Sequence, residues 1–126
     1  MLYHVWFATR RRKWLLQGDI GPYVLRLIRE IAAEKEVAIV ELETMVDHVH
    51  ILLYIEPNQL LSQTVKLLKG ISARRAFQTF PDLKLDAQTA HFWQKGFGCR
   101  PVSEHERRAV IEYLRTQKAR PGKFER

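Results

Sequence analysis

The chain has 126 residues, 46% hydrophobic and 28% charged, with Lys+Arg 21 against Asp+Glu 14 and a net charge of +7. That fits one globular domain spanning 1–126, long enough to bury a core, and the basic excess reads either as a solvated surface or as a match for a polyanion such as nucleic acid. A single cysteine, Cys99, excludes an intramolecular disulfide framework and a thiolate zinc cluster, and no apolar run approaches the roughly 20 residues of a membrane span.

Tyr3 to Thr9 is aromatic and β-branched and predicts a strand. The opening Met1-Leu2-Tyr3-His4-Val5-Trp6-Phe7 lacks the basic-then-apolar order of a signal peptide. Together with the lone cysteine, this makes the reducing cytoplasm the expected compartment. Arg10-Arg11-Arg12-Lys13 reads as a basic loop. Turn residues from Gly18 to Pro22 open a helix on which Val24, Leu27, Ile28, Ile31 and Ala32 recur at helical spacing, ending near Glu36.

Val37 to Val46 predicts a strand with exposed Glu41 and Glu43 on one face and Val40, Leu42 and Val46 on the other. Asp47 turns the chain into a further strand, His48 to Ile55. Val49, Ile51, Leu53 and Ile55 form one face there; His48, His50, Leu52 and Tyr54 form the other. Pro57 is the expected start of a second helix, with Leu60, Leu61, Val65, Leu68 and Ile71 inward and Lys66, Lys69, Arg74 and Arg75 as a basic side. Pro81 to Thr89 reads as a loop.

His91 to Arg100 predicts a fourth, glycine-interrupted strand, with Pro101 at its end and Gly98 to Val102 irregular. Ser103 and Glu106 form a capping box before a helix carrying Ala109, Val110, Tyr113, Leu114 and Gln117. A basic tail, 118–126, reads as loose. The order β-α-β-β-α-β-α predicts an α+β, ferredoxin-like split βαβ fold. Two helices would cover one face of an antiparallel sheet, and the last helix would lie across the histidine face.

His48 and His50 stand two apart in a strand, so both imidazoles share a face and can hold one divalent metal. Two hydrogen-bonded structural imidazoles would give the same pattern. Tyr113 and Gln117 stand four apart on a helix and share a face too. An amide oxygen beside two imidazoles leaves coordination positions open and suits Mg²⁺ or Mn²⁺. A phenol can attack a phosphodiester when its proton is taken or the metal polarises the phosphate; a tyrosine filling the gap between helix and sheet needs no such role. Arg10, Arg11, Arg12, Lys13, Lys66, Lys69, Arg74 and Arg75 are candidate DNA contacts, and Trp6, Trp14, Trp93 and Phe97 are candidate stacking platforms for unpaired bases. His4, His91, His105 and Cys99 have no partners at useful spacing.

Taken together, these segments resemble the IS200/IS605 family of single-tyrosine transposases, in the HUH endonuclease class. The resemblance rests on Tyr3 to Thr9 with the Arg-Arg-Arg-Lys loop, Met45 to Leu52 around the histidines, Leu68 to Arg75, Phe92 to Phe97, and Tyr113-Leu114-Arg115-Thr116-Gln117. It implies cleavage of single-stranded DNA near a hairpin by Tyr113. A 5′-phosphotyrosine link and a free 3′-hydroxyl would result, with His48, His50 and Gln117 on the metal. It further implies rejoining without a nucleotide cofactor, and a homodimer. Domesticated REP-associated relatives share several of these motifs. A DNA-binding regulator with an inert site and a metal-dependent phosphohydrolase with a structural Tyr113 are the other readings of the same residues.

Overall fold

The computed structural model describes residues 1–87 and 90–117. The tail 118–126 lies outside the described residues. The elements are β1 (Leu2–Ala8), a one-turn 3₁₀ helix (Arg10–Arg12), α1 (Ile20–Glu34), β2 (Ala38–Thr44), β3 (His48–Tyr54), α2 (Leu61–Thr79), α3 (Leu83–Ala87), β4 (Gly98–Val102), a second 3₁₀ turn (Glu104–Glu106) and α4 (Arg107–Gln117).

The strands form one antiparallel sheet in the order β2-β3-β1-β4. β1 and β2 therefore run parallel with β3 between them, as the split βαβ arrangement requires. Strand alternation sorts the side chains into two layers. Val5 and Phe7 of β1 and Val49, Ile51 and Leu53 of β3 form the larger core with Val24, Ile28 and Ile31 of α1 and Val65 and Leu68 of α2. Each such side chain, fully removed from water, contributes about 1.5–3 kcal/mol. On the opposite face Leu2, Leu52 and Val102 pack against Val110 and Leu114 of α4 in a smaller cluster. The two-helix face and the single-helix face are as the element order predicts.

Four local expectations change. The fourth strand is Gly98–Val102, not His91 to Arg100. Gly96, at φ 85°, turns the chain before it. Residues ahead of that turn meet the sheet at the end of β1, through a Thr9–Trp93 bridge and the Gln94 N–H donating to the Ala8 carbonyl at 2.8 Å. Gly98 to Val102 is thus a regular strand, pairing with β1 over Leu2 to Trp6. Pro101 is tolerated because β4 is the sheet's edge.

The second change is the start of α2, at Leu61 rather than Pro57. A turn closed by the Glu56 N–H donating to Gln59 Oε1 at 2.9 Å intervenes. Leu60, expected inward, is extended at the N-cap and 60% exposed. Third, the expected loop at Pro81 to Thr89 contains α3, whose Leu83 enters the larger core. Fourth, β2 carries a bulge between Ile39 and Glu41. The shift places Val40 against the smaller cluster while Leu42 stays in the larger one. Glu41, expected exposed, is 8% exposed. Smaller differences are that α1 ends at Glu34 and that Val46 lies beyond β2.

Candidate active site

His48 and His50 lie on β3 facing α4, with exposures of 4% and 3% and ring centroids 4.9 Å apart. Trp6 of β1 stands directly opposite His50 in the register. A cavity of about 580 Å³ is lined by both histidines with His4, Trp6, Arg12 and Tyr113. Tyr113 reaches it because α4 packs over β3 through Leu114 and Val110 against Leu52. The Ser103–Glu106 capping box is formed and launches that helix: Ser103 Oγ accepts the Glu106 N–H at 3.2 Å, and Glu106 Oε1 accepts the Ser103 N–H at 3.1 Å.

Each histidine is held through Nδ1. His48 Nδ1 lies 2.7 Å from Asp47 Oδ1, and Arg12 Nε donates to Asp47 Oδ2 at 2.9 Å. Burial works to raise the Asp47 carboxyl, but the hydrogen bonds from Arg12 and His48 outweigh it and hold the group below the usual carboxylate range. An ionised Asp47 can only accept, so His48 donates from Nδ1. His50 Nδ1 lies 2.9 Å from His4 Nε2. Burial, with the charges of His48, His4 and Arg12, takes His50 down to about 3. Burial and the nearby Arg100 take His4 down to about 4. Near neutral pH His50 is therefore in the uncharged form that a metal ligand needs.

Gln117 lies one helical turn beyond Tyr113, 2% exposed, and its buried Oε1 has no hydrogen-bond partner among the described residues. The buried Nε2 atoms of His48 and His50 are in the same condition, though both rings are anchored on their other nitrogen. Among the described residues no group of three His, Cys, Asp or Glu side chains is arranged to hold a metal ion by itself. Gln117 does not itself line the cavity. Burial pushes the Tyr113 phenol above its ordinary value, so at neutral pH it is protonated.

Residues 1–117 match the family model described as "Transposase IS200 like". The chain belongs to the IS200-like transposase family. As a transposase, it is a protein that moves DNA. The ISDra2 transposase TnpA of Deinococcus radiodurans is 34% identical over 115 residues, covering 91% of this chain and 82% of that protein. The transposase for insertion sequence element IS200 of Salmonella typhimurium is 30% identical over 115 residues, covering 91% and 75%. A crystal structure from Deinococcus radiodurans R1, described as a transposase, superposes with a TM-score of 0.77 at 35% identity, covering 93% of this chain and 90% of that one. A REP-associated tyrosine transposase bound to a REP hairpin shares the fold, with a TM-score of 0.66 at 16% identity over 96% and 68% of the two chains.

Some of the basic residues of this transposase line one of two cavities. Arg12 joins the cavity of Tyr113 and the histidines. Arg10, Lys66, Lys69, Lys95 and Phe97 line a second cavity of about 790 Å³ beside α2. Lys69 is partly engaged within the fold, donating to the carbonyls of Gln94 at 2.8 Å and Gly96 at 2.5 Å. Arg75 pairs with Glu34 at 3.0 Å, while Arg11 and Arg74 are exposed and Lys13 is half-buried. Trp93 is a core residue, 6% exposed, with Nε1 donating to Ser72 Oγ at 2.9 Å. Trp14 is 54% exposed and lines neither of these cavities.

Sequence reasoning left out two side chains of this site, His4 and Asp47. The available signal for His4 was its even position on β1, which shares a face with the even positions of a neighbouring β3. For Asp47 it was adjacency to the first histidine, where a carboxylate commonly orients a ligating imidazole.

Proposed function

We propose that this transposase cleaves and rejoins single-stranded DNA, with Tyr113 as nucleophile and His48, His50 and Gln117 as ligands of one Mg²⁺ or Mn²⁺. The observation that carries the reading is that Tyr113 and the two imidazoles border one cavity, with the orphaned Gln117 Oε1 on the same helix. Two imidazoles and an amide oxygen fit such an ion and leave it open positions. When bound, a divalent cation supplies Lewis-acid polarisation of the scissile phosphate.

The chain's own residues do the rest. Tyr113 Oη forms the new bond to phosphorus and loses its proton. The bond from phosphorus to the 3′-oxygen breaks, and that oxygen leaves as a 3′-hydroxyl after taking up a proton. The 5′-phosphate remains as an ester on Tyr113. A second 3′-hydroxyl reverses these changes and joins strands. Each step exchanges one phosphoester for another, so no nucleotide cofactor is consumed. Arg12, lining the same cavity, offers positive charge to the phosphate.

A DNA hairpin beside the cleavage site is the ligand we assign, supported by the REP hairpin on the fold-related REP-associated transposase. Arg10 and Lys66 at the second cavity, with Arg11, Lys13, Lys69, Arg74 and Arg75, are the proposed backbone contacts. We further propose a homodimer working in the cytoplasm. No helix among the described residues is long and apolar enough to cross a membrane.

The test is labelled single-stranded DNA from the flanks of the gene, incubated with Mg²⁺ or Mn²⁺ and run on a denaturing gel. A metal-dependent covalent shift, lost in Tyr113→Phe and in His48→Ala, is the expected result. Binding without an adduct overturns the reading in favour of a DNA-binding regulator. Turnover surviving Tyr113→Phe overturns it in favour of hydrolysis by water.

A further inference from the structure

We infer that His4 is a positioning residue for His50: its Nε2 accepts the Nδ1 proton of His50 and so reserves the Nε2 lone pair of His50 for a divalent cation. The inference rests on the metal reading above and deepens it.

The geometry starts in the register. His4 stands opposite Leu52 and His50 opposite Trp6, so the two histidines are diagonal neighbours on one face of an antiparallel pair. Their nitrogens meet at 2.9 Å, with both residues buried at 7% and 3% exposure. One of the two atoms donates across that distance and the other accepts. If His50 ligates through Nε2, its proton sits on Nδ1, and His4 accepts. Were His4 the donor, the His50 proton would sit on Nε2 and block coordination.

His4 is also fixed in place. Its ring lies 4.9 Å from Trp6 and 6.4 Å from Tyr113. It thus neighbours the ring of Tyr113 as well as that of His50. The two histidines of the pair are oriented by different groups: His48 by a carboxylate that Arg12 holds, His50 by an imidazole. Outer partners of this kind fix ring orientation and tautomer, and their loss commonly weakens metal binding by about 10- to 100-fold.

The experiment uses the full chain without DNA. Mn²⁺ affinity is measured by titration calorimetry for wild type, His4→Leu, His4→Gln and His48→Ala. Thermal melting without metal accompanies each, and the ring-nitrogen NMR spectrum of the metal-free wild type assigns the His50 tautomer. We expect His50 protonated on Nδ1, Mn²⁺ affinity about 10- to 100-fold weaker in His4→Leu, and substantial recovery in His4→Gln, whose amide oxygen can accept the same proton. A folded His4→Leu that binds Mn²⁺ like wild type overturns the inference alone. So does a His50 proton on Nε2, a readout that stands even if His4→Leu fails to fold. Wild type that binds no Mn²⁺, matching His48→Ala, overturns the metal reading and the inference with it.

Discussion

Arg115 Nε donates to Glu41 Oε2 at 2.6 Å, tying α4 to β2 across the face of the sheet that carries His48 and His50. Glu41 pairs with Leu52 in the register, and Leu52 packs against Leu114. The helix of Tyr113 is thus held by an apolar contact and an ion pair at adjacent residues, Leu114 and Arg115. The bulge in β2 is what turns the Glu41 carboxylate to that side.

Removing the ion pair is expected to disturb positioning more than stability. The Arg115 side chain is 65% exposed and that of Glu41 10%, so removing the carboxylate leaves the guanidinium in water and gives up little stability. Glu41→Ala should therefore melt close to wild type while forming the DNA adduct more slowly in a single-turnover assay. Leu114→Ala, at a fully buried position, should lose about 2–5 kcal/mol of stability and slow the adduct as well. An unchanged adduct rate in Glu41→Ala would show that Leu114 and Val110 hold the helix by themselves.

Acid should weaken the fold partly through Asp47. Its folded pKa is depressed below the unfolded value of about 3.9, so its contribution is complete above that value and is lost as pH falls through the folded one. Asp47→Asn cannot ionise. It should be less stable than wild type at pH 6, and the gap should close as the solution is acidified towards pH 3. Denaturant unfolding in the presence of a chelator, at several pH values, measures that difference. A gap that stays constant with pH would show that the carboxylate charge is not what stabilises the turn.

Gly98 is where the backbone of β4 meets the Trp6 indole. A Cβ built there would lie 2.1 Å from Trp6 Cε2, so Gly98→Ala must displace the ring. Trp6 is 37% exposed and lines the cavity of the histidines. Gly98→Ala should shift the tryptophan fluorescence, destabilise the protein by about 1–3 kcal/mol and weaken single-stranded DNA binding. Unaltered fluorescence and binding would mean that the Trp6 indole keeps its place and the backbone of β4 gives way instead.

Much of this architecture is legible in short-range pattern. The spacing of Val24, Leu27, Ile28 and Ile31 names the buried stripe of α1. Alternation from His48 to Tyr54 places both histidines on one face, and Ser103 with Glu106 announces the launch of α4. These are local regularities, set by backbone period and by hydrogen bonds that close within a turn. Interruptions were harder to read. The bulge after Ile39 preserves strand composition while moving Val40 to the other face. Gly96 divides an aromatic run that reads as continuous strand.

The sequence by itself determined the succession of four strands and three longer helices and the two faces of the sheet, because periodicity resides in the chain. Tertiary structure alone decided which side chains meet. Antiparallel pairing of β1 with β3 brought His4, 46 positions distant, to His50, and the β2 bulge brought Glu41, 74 positions distant, to Arg115. Such contacts depend on register and packing between distant segments, and no local spacing encodes them.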